Sequence, residues 1–274
     1  MNDLAESIKT KNLNQLKTAL NSGANPNEFI TFGSSESEMR PSFACLWENW
    51  PVGAMALLEA GANPAYSAYP HEGHNLALFI ADSTLKGLNP LSETYPLLEL
   101  INQTSPSLFT SRHKGRTFLS ILLSSCPIED DDDDGFDLLN ALISFGCDPT
   151  ELDADGSGLL MSLIDYSPRI VRFLLNKQVD VNAGNGESTP LHRIVKNHDS
   201  SDHGLCEMLT AGASVTVLDN HGKQPKNYLI YPFQMKWRQR LEDFEEAEEL
   251  LSEGGITPEE VLLSDIFGKP WRLK

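Results

Sequence analysis

The stretch Phe173–Val195, FLLNKQVDVNAGNGESTPLHRIV, decides the fold. It contains an ending of the type Leu-Leu-x-x-Gly-x-Asx at Leu174–Asp180, with Gln178 in the glycine position. A residue after a helix that adopts the left-handed conformation ends the helix, and Asn, Asp and Gly then build a tight turn. Pro190 suits the first position of a following helix, and Thr189 is placed to cap it. The stretch therefore predicts a helix end, a finger-like turn and a new helix start.

The same ending recurs along the whole chain. Its glycine positions fall at residues 23, 61, 104, 146, 178 and 212, with Thr104 in the most eroded copy. The last two separations are 32 and 34 residues, close to a known repeat period of about 33. A second landmark follows at a nearly constant offset, at Gly33, Gly73, Gly115, Gly156, Gly186 and Gly222. Recurrence of both landmarks predicts one turn repeated six times.

These motifs resemble the ankyrin repeat family. Thr189-Pro190-Leu191-His192 matches the T-P-L-H signature of that family, and Gly23-Ala24, Gly61-Ala62 and Gly212-Ala213 match its G-A-(D/N) turn. The resemblance covers roughly residues 1–230. It implies an all-α fold: an ankyrin-repeat solenoid of stacked helix-turn-helix repeats with short hairpin fingers and a C-terminal helical cap. The structural motif residues are then Gly23, Gly61, Gly146, Gly212, Thr189, Pro190, Leu191 and His192, with His192 supporting its turn by hydrogen bonding.

The spacing also predicts the domain organisation. We expect about six degenerate repeats over residues 1–228 and a helical cap over 229–274, because the repeat pattern stops from Lys226. Two intervals of 31 residues, where about 23 are expected, place inserts at Lys86–Thr94 and Pro127–Gly135. These inserts are expected to lie side by side. The cap comprises a helix over Phe233–Glu253, and its alternative role is partner binding.

Smaller features carry further expectations. Ile30–Pro41 is predicted to form an elongated finger, and a capping box at Thr257–Glu260 to start a short helix. Trp47 and Trp50 are predicted to lie in the core between repeats, because aromatic side chains carry much buried area.

Composition narrows the kinds of partner. The formal charge is −18, with 39 acidic and 21 basic residues. This charge disfavours binding to nucleic acid and anionic membranes and favours binding to a basic protein. Alternatively, the charge only keeps the chain soluble. The first twenty residues lack an apolar segment, so we expect no signal peptide. No apolar run reaches the roughly 18 residues of a membrane span. The four scattered cysteines predict buried free thiols, so we expect a cytoplasmic protein, monomeric when free.

The candidate contact residues are polar and acidic. The run Glu129–Asp134 includes half of a calcium-loop pattern, but Ala141 stands where a bidentate glutamate is needed. It is therefore interpreted either as a solvated loop or as a contact for a basic partner. The complete set of partner-binding candidates is Glu129, Asp130, Asp131, Asp132, Asp133, Asp134, Asn185, Glu187, Asp219 and Asn220.

The sequence predicts no catalytic residue, cofactor or metal. The histidine clusters His71–His74 and His198–His203 lack ligand spacing, and no nucleophile elbow or phosphate loop is present. The resemblance implies non-enzymatic protein binding through a face of finger tips and first helices. One version is a bacterial immunity or inhibitor protein that neutralises a basic toxin or enzyme, as divergent acidic ankyrin proteins resemble such neutralisers. The alternatives are an interaction scaffold of an effector or signalling protein and, remotely, an enzyme with a cryptic active site.

Overall fold

The computed structural model describes residues 3–32, 37–69, 74–163, 165–196, 202–231, 234–264 and 268–273. Within these ranges the chain is mostly helical, as predicted. The α-helices are α1 Asp3–Lys9, α2 Leu13–Asn21, α3 Pro41–Trp47, α4 Pro51–Glu59, α5 Leu76–Leu85, α6 Leu91–Thr104, α7 Ser107–Thr110, α8 Phe118–Leu123, α9 Asp133–Ser144, α10 Pro168–Asn176, α11 Pro190–Lys196, α12 Asp202–Thr210, α13 Met235–Ser252 and α14 Pro258–Leu262. Single turns of 3-10 helix lie at Leu159–Ser162, Pro225–Tyr228 and Pro270–Leu273.

The finger predicted at Ile30–Pro41 contains a short antiparallel hairpin. Its strands are β1 Ile30–Phe32 and β2 Ser37–Met39, with Thr31 opposite Glu38. Among the described residues, no helix is both long and apolar enough to cross a membrane.

The chain forms two compact units. Unit 1 comprises Met1–Ser111 and Asp132–Cys147, and unit 2 comprises Arg112–Asp131 and Asp148–Lys274. In unit 1 the first helices α1, α3 and α5 pack in one row, and the second helices α2, α4, α6 and α9 pack in another. This arrangement lets each helix pair bury its apolar faces against the next pair.

Unit 2 repeats the arrangement with shorter first helices. Its first row consists of α8, Leu159–Ser162, α11 and Pro225–Tyr228, and α10, α12 and α14 pack in sequence behind it. The Tyr166 ring is fully buried in this unit, and its hydroxyl donates to the Leu160 carbonyl at 2.7 Å. Burial with a hydrogen-bond partner allows a large polar aromatic to fill the core.

The predicted glycine positions are left-handed turns. Gly23, Gly61, Gly146 and Gly212 have φ between +86° and +103°, and Gln178 adopts the same region at +64°. The remaining predicted position, Thr104, is wrong: α6 runs to this residue, Ser105 has φ −149° and ψ 58°, and α7 follows. Pro106 accounts for the end of α6 here, because a proline disfavours the helical conformation in the residue before it.

Neighbouring fingers are joined by paired hydrogen bonds from one asparagine. The Asn27 side chain donates to the Gly61 carbonyl at 3.0 Å and accepts from the Asn63 amide at 2.7 Å. In unit 2, Asn182 makes the same pair of bonds to the Gly212 carbonyl and the Ser214 amide, at 3.1 and 2.8 Å. Each asparagine therefore connects its own turn to the left-handed turn of the next repeat.

The His192 side chain also joins successive repeats. Its Nδ1 accepts from the Thr189 hydroxyl at 2.8 Å, and its Nε2 donates to the Lys223 carbonyl at 2.9 Å. The ring is fully buried, and burial lowers its pKa, which keeps the imidazole neutral at pH 7. The histidine thus ties the start of α11 to the following finger.

The C-terminal helices pack against the last part of the predicted repeat region. Pro225–Tyr228 packs against α13, and α14 packs against α12 and α13. The predicted capping box at the start of α14 is present, with the Thr257 amide 2.8 Å from Glu260. Trp271 is buried at the end of the chain. The proposed division at 228/229 stays a prediction, and Phe233 lies outside the described residues.

The two tryptophans behave differently. Trp50 is buried as predicted, but the prediction for Trp47 is wrong, because 65% of its surface is exposed. Trp47 is the last residue of α3, where the side chain projects past the helix pair instead of between repeats.

We expect Gln178→Gly to raise the free energy of unfolding by about 0.5–1 kcal/mol, because glycine removes the left-handed strain. Gly61→Ala should lower it by about 1 kcal/mol, because its φ is +93° and no atom would contact the added methyl group. Urea denaturation followed by circular dichroism measures both changes. A destabilised Gln178→Gly variant would show that side-chain contacts outweigh the strain.

We expect Asn182→Ala to lower the free energy of unfolding by about 1–2 kcal/mol, because two hydrogen bonds between fingers are lost. Asn220→Ala is the matched control, since Asn220 is exposed and its side chain makes no hydrogen bond within the described residues. The same urea titration compares the two variants. Equal effects would contradict a specific role for the Asn182 bridge.

Candidate functional site

A polar crevice of about 290 Å³ lies between fingers and first helices of unit 2. Its walls come from three fingers, the Leu159–Ser162 helix, α11 and the residue after α8. The lining residues are Arg116, Ser124, Asp153, Asp155, Ser157, Met161, Ser162, Asn185 and Arg193. Side chains distant in sequence therefore meet at one place because the repeats stack.

Arg116 forms one fixed wall of the crevice. Its guanidinium donates to the Ser120 carbonyl at 2.6 Å and to the Ser124 hydroxyl at 3.0 Å, and its Nε lies 3.5 Å from Asp153. Asp153 is buried and also accepts from the Thr117 amide at 2.7 Å and the Ser120 hydroxyl at 2.8 Å. These bonds hold the guanidinium in place before any ligand arrives, which reduces the ordering cost of binding.

Arg193 supplies a second guanidinium. It projects from α11 and is exposed, with one terminal nitrogen donating to the Met161 carbonyl. Its other nitrogens make no hydrogen bond to the described residues. Because a guanidinium has five N–H donors in a planar fork, most of its donor capacity stays available.

Two finger tips bring acceptors and an amide to the same crevice. Asp155 and Asn185 each stand immediately before a landmark glycine of their finger. Asp155 accepts from the Ser157 amide at 3.0 Å, and the hydrogen bonding of Ser157 lowers the pKa of this exposed carboxyl. The Asn185 side-chain oxygen accepts from the Glu187 and Ser188 amides at 3.1 and 3.0 Å, which stiffens the tip.

The crevice presents binding groups and not a catalytic pair. Guanidinium donors match carbonyl or carboxylate groups of a ligand, and Asp155 matches its N–H groups. The hydroxyls that line the crevice are serines, and no histidine or cysteine lines it with them. In the described ranges, no group of three His, Cys, Asp or Glu residues is placed to hold a metal ion. Cys45 and Cys147 are buried as predicted, whereas Cys126 and Cys206 are half-buried.

The finger candidates from the sequence fall into two groups. Asn185 lines the crevice, while Glu187 and Asn220 are exposed on adjacent tips, joined by a 2.8 Å bond from the Asn220 amide to the Glu187 carbonyl. Asp219, expected as a contact residue, instead has a fully buried side chain. Its position in the chain resembles a finger tip, but its carboxylate points into the turn and is used there.

The buried Asp219 carboxylate organises the last finger. It accepts from the His221 amide at 2.9 Å, the Lys223 amide at 3.1 Å, Lys196 at 3.3 Å and the Tyr228 hydroxyl. Burial alone would raise the pKa of Asp219, but these hydrogen bonds hold it well below the ordinary carboxyl range. The Asp219 carboxylate therefore stabilises the last finger.

The acidic insert is divided between structural and exposed side chains. Asp132 caps α9 by accepting from the Gly135 amide at 2.9 Å, and in unit 2 Asp130 accepts from the Arg169 amide at 3.0 Å. The remaining carboxylates of the run, all exposed, are Glu129, Asp131, Asp133 and Asp134. Asp134 lies at the mouth of a crevice beside α6.

Sequence reasoning missed the two arginines and Asp155. Asp155 had a usable signal, because it holds the same position before Gly156 that Asn185 holds before Gly186. No sequence signal identifies Arg193. Whether its side chain lines the same crevice as Arg116 depends on how far the first helices of successive repeats are displaced from one another.

Two solved structures resemble the chain over most of its length. The ankyrin repeat domain of Bcl-3, a unique member of the IkappaB protein family, has a TM-score of 0.59 at 18% identity, covering 85% of this chain and 96% of that one. The human ASB11 ankyrin repeat domain has a TM-score of 0.58 at 16% identity, covering 86% and 96%. No protein-family model and no curated protein matches the chain. The likeness shows that the chain has the all-α ankyrin-repeat solenoid fold.

We expect Asp219→Asn to be less stable than the wild type at pH 7, with a difference that shrinks as the pH falls from about 5 to 2. The folded-state pKa lies below the unfolded value of about 3.9, so the ionised carboxylate stabilises the fold above that value and the contribution is lost in acid. Thermal unfolding at a series of pH values measures this.

Glu187→Gln, which removes an exposed carboxylate, is the control for the change in net charge. A destabilisation of Asp219→Asn that stays constant with pH would assign the effect to packing instead of ionisation.

Proposed function

We propose that the chain is a non-enzymatic protein-binding module whose contact face in unit 2 is formed by fingers and first helices and centred on the Arg116–Arg193 crevice. The observation that carries the proposal is the crevice itself. It joins side chains from successive repeats, and Arg193 keeps donors that no described residue uses. An extended polar segment of another protein supplies the carbonyl and N–H groups that these side chains match.

The solved relatives support this proposal through their fold. Both are ankyrin repeat domains, and the one from Bcl-3 belongs to a family of IkappaB proteins. A rigid stack of fingers offers a preformed surface, so binding costs little ordering of the module. Fold alone does not determine function, so the proposal rests on the residues that line the crevice.

The partner is proposed to be a basic protein. A net charge of −18 attracts cationic proteins at long range and repels nucleic acid and anionic membranes. Within the contact face, the exposed Asp155 and Glu187 carboxylates suit lysine or arginine side chains, and the two guanidinium groups take acceptors. The module is proposed to act in the cytoplasm as a monomer when free.

Two uses of this surface are compatible with the site. One is an immunity or inhibitor protein that occludes the active site of a basic toxin or enzyme. The other is a scaffold that holds its partner without inhibiting it. The catalytic alternative has less support, because the crevice serines lack a neighbouring histidine as base.

The test is affinity capture from the native source, followed by measurement of the dissociation constant with the captured protein. We expect Arg193→Gln and Asp155→Ser to weaken binding by about tenfold or more, since each removes a charged contact. Arg172→Gln is the matched control, because Arg172 is an exposed arginine of α10 that pairs with Glu207. The activity of the partner with and without the module distinguishes inhibition from scaffolding.

A variant with Ser at Asp131, Asp133 and Asp134, which keeps the hydrogen-bonding Asp130 and Asp132, tests the rival surface. Loss of the partner in this variant alone, with Arg193→Gln unaffected, would refute the proposed face. A toxin gene beside the gene for this chain would favour the immunity role over the scaffold.

A further inference from the structure

Unit 1 contains a second crevice that the proposed contact face does not use. It has a volume of about 450 Å³ and lies between the N-terminal turns of α6 and α9. Leu91, Ser92, Tyr95 and Pro96 line one side, and Asp134 and Asp137 line the other. We propose that this crevice binds a lysine or arginine side chain of a protein partner. The inference shares with the proposed function only the premise that the partner is a protein.

The aromatic wall of the crevice is held in place from behind. The Tyr95 ring lies 6.0 Å from the Phe145 ring, which in turn lies 5.3 Å from the buried Phe109 ring. These contacts hold the Tyr95 ring while leaving 38% of the residue exposed. A fixed, exposed ring beside carboxylates suits a cation, because the ring face carries negative electrostatic potential.

The charged groups of the crevice, Asp134 and Asp137, are acceptors. Asp134 and Asp137 are three residues apart on α9 and therefore lie on one side of the helix. Neither forms an ion pair with a described residue. Ser92 and Tyr95 add hydroxyl groups, which can accept as well as donate. Two carboxylates beside hydroxyls that can also accept match the N–H groups of an ammonium or guanidinium ion.

The partial positive charges at the N-termini of α6 and α9 do not reverse the negative charge of the crevice. Each contributes at most about half a positive charge, and Asp132 already caps α9. Two full carboxylate charges outweigh that contribution. The charge therefore selects a cation over a phosphate or carboxylate ligand.

Exposed apolar side chains lie in the loop before α6 and at the end of α3. Leu88, in the loop before α6, is 62% exposed, and Asn89 next to it donates to the Leu46 carbonyl at 3.3 Å. That bond brings the loop against the end of α3, where Trp47 is exposed. The segment that fits therefore carries a basic residue between two apolar residues. The aliphatic part of the basic side chain packs on Leu91 and Pro96, and its charged group contacts the carboxylates.

The test is an NMR titration of the full-length ¹⁵N-labelled protein with the peptide acetyl-Gly-Ser-Leu-Arg-Leu-Ser-Gly-amide. We expect shift changes concentrated at the crevice residues. The same peptide with citrulline, which has the shape of arginine without its charge, should bind at least about fivefold more weakly. Asp137→Asn and Asp134→Asn should each weaken the arginine peptide by a similar factor.

Glu99→Gln is the matched control, because Glu99 is an exposed carboxylate of α6 that does not line the crevice. Shifts scattered over the acidic surface, or an equal loss in Glu99→Gln, would overturn the proposal in favour of general charge attraction. Circular dichroism of each variant verifies folding. The titration probes unit 1 with a defined peptide, so its failure leaves the capture experiment on unit 2 unaffected, and the reverse also holds.

Discussion

The left-handed turn that follows α2, α4, α9, α10 and α12 is the constraint on which the rest of the structure depends. It reverses the chain within a few residues and exposes a carbonyl and an amide to the preceding finger. Asn27 and Asn182 use those groups, and His192 makes a related connection from a helix start. A single helix pair of this size cannot bury its own apolar faces, so the connection between pairs provides much of the stability.

The sequence predicts the parts that repeat and fails where the local chemistry changes. Glycines at 61, 146 and 212 identify turns because few other residues adopt positive φ cheaply, and even Gln178 was found by its spacing. The prediction for Thr104 failed because Pro106 disfavours a helical backbone at Ser105, where φ is −149° and ψ is 58°. The prediction for Trp47 failed because the residue type gives the area of a side chain but not its direction at the end of a helix.

The candidate sites were harder to predict than the fold for a physical reason. Helices and turns are specified by neighbours in sequence, whereas a crevice is specified by the offset between repeats. Asp155 and Asn185 could be matched by their shared position before a glycine, but Arg116 and Arg193 are 77 residues apart in sequence and meet through stacking. The net charge gave the sign of long-range attraction, and only the structure showed that two arginines line one crevice of this acidic protein.

The division of the fourth helix pair has a consequence for how the protein is made. The chain passes between the two units three times, because α8 belongs to unit 2 and α9 to unit 1. A ribosome that has released the first 111 residues has therefore made an incomplete unit, whose second row lacks its last helix until Ser144 has emerged. Neither unit is a continuous segment, so a truncation at any repeat boundary within the shared region leaves both with exposed apolar surface, which favours aggregation during synthesis.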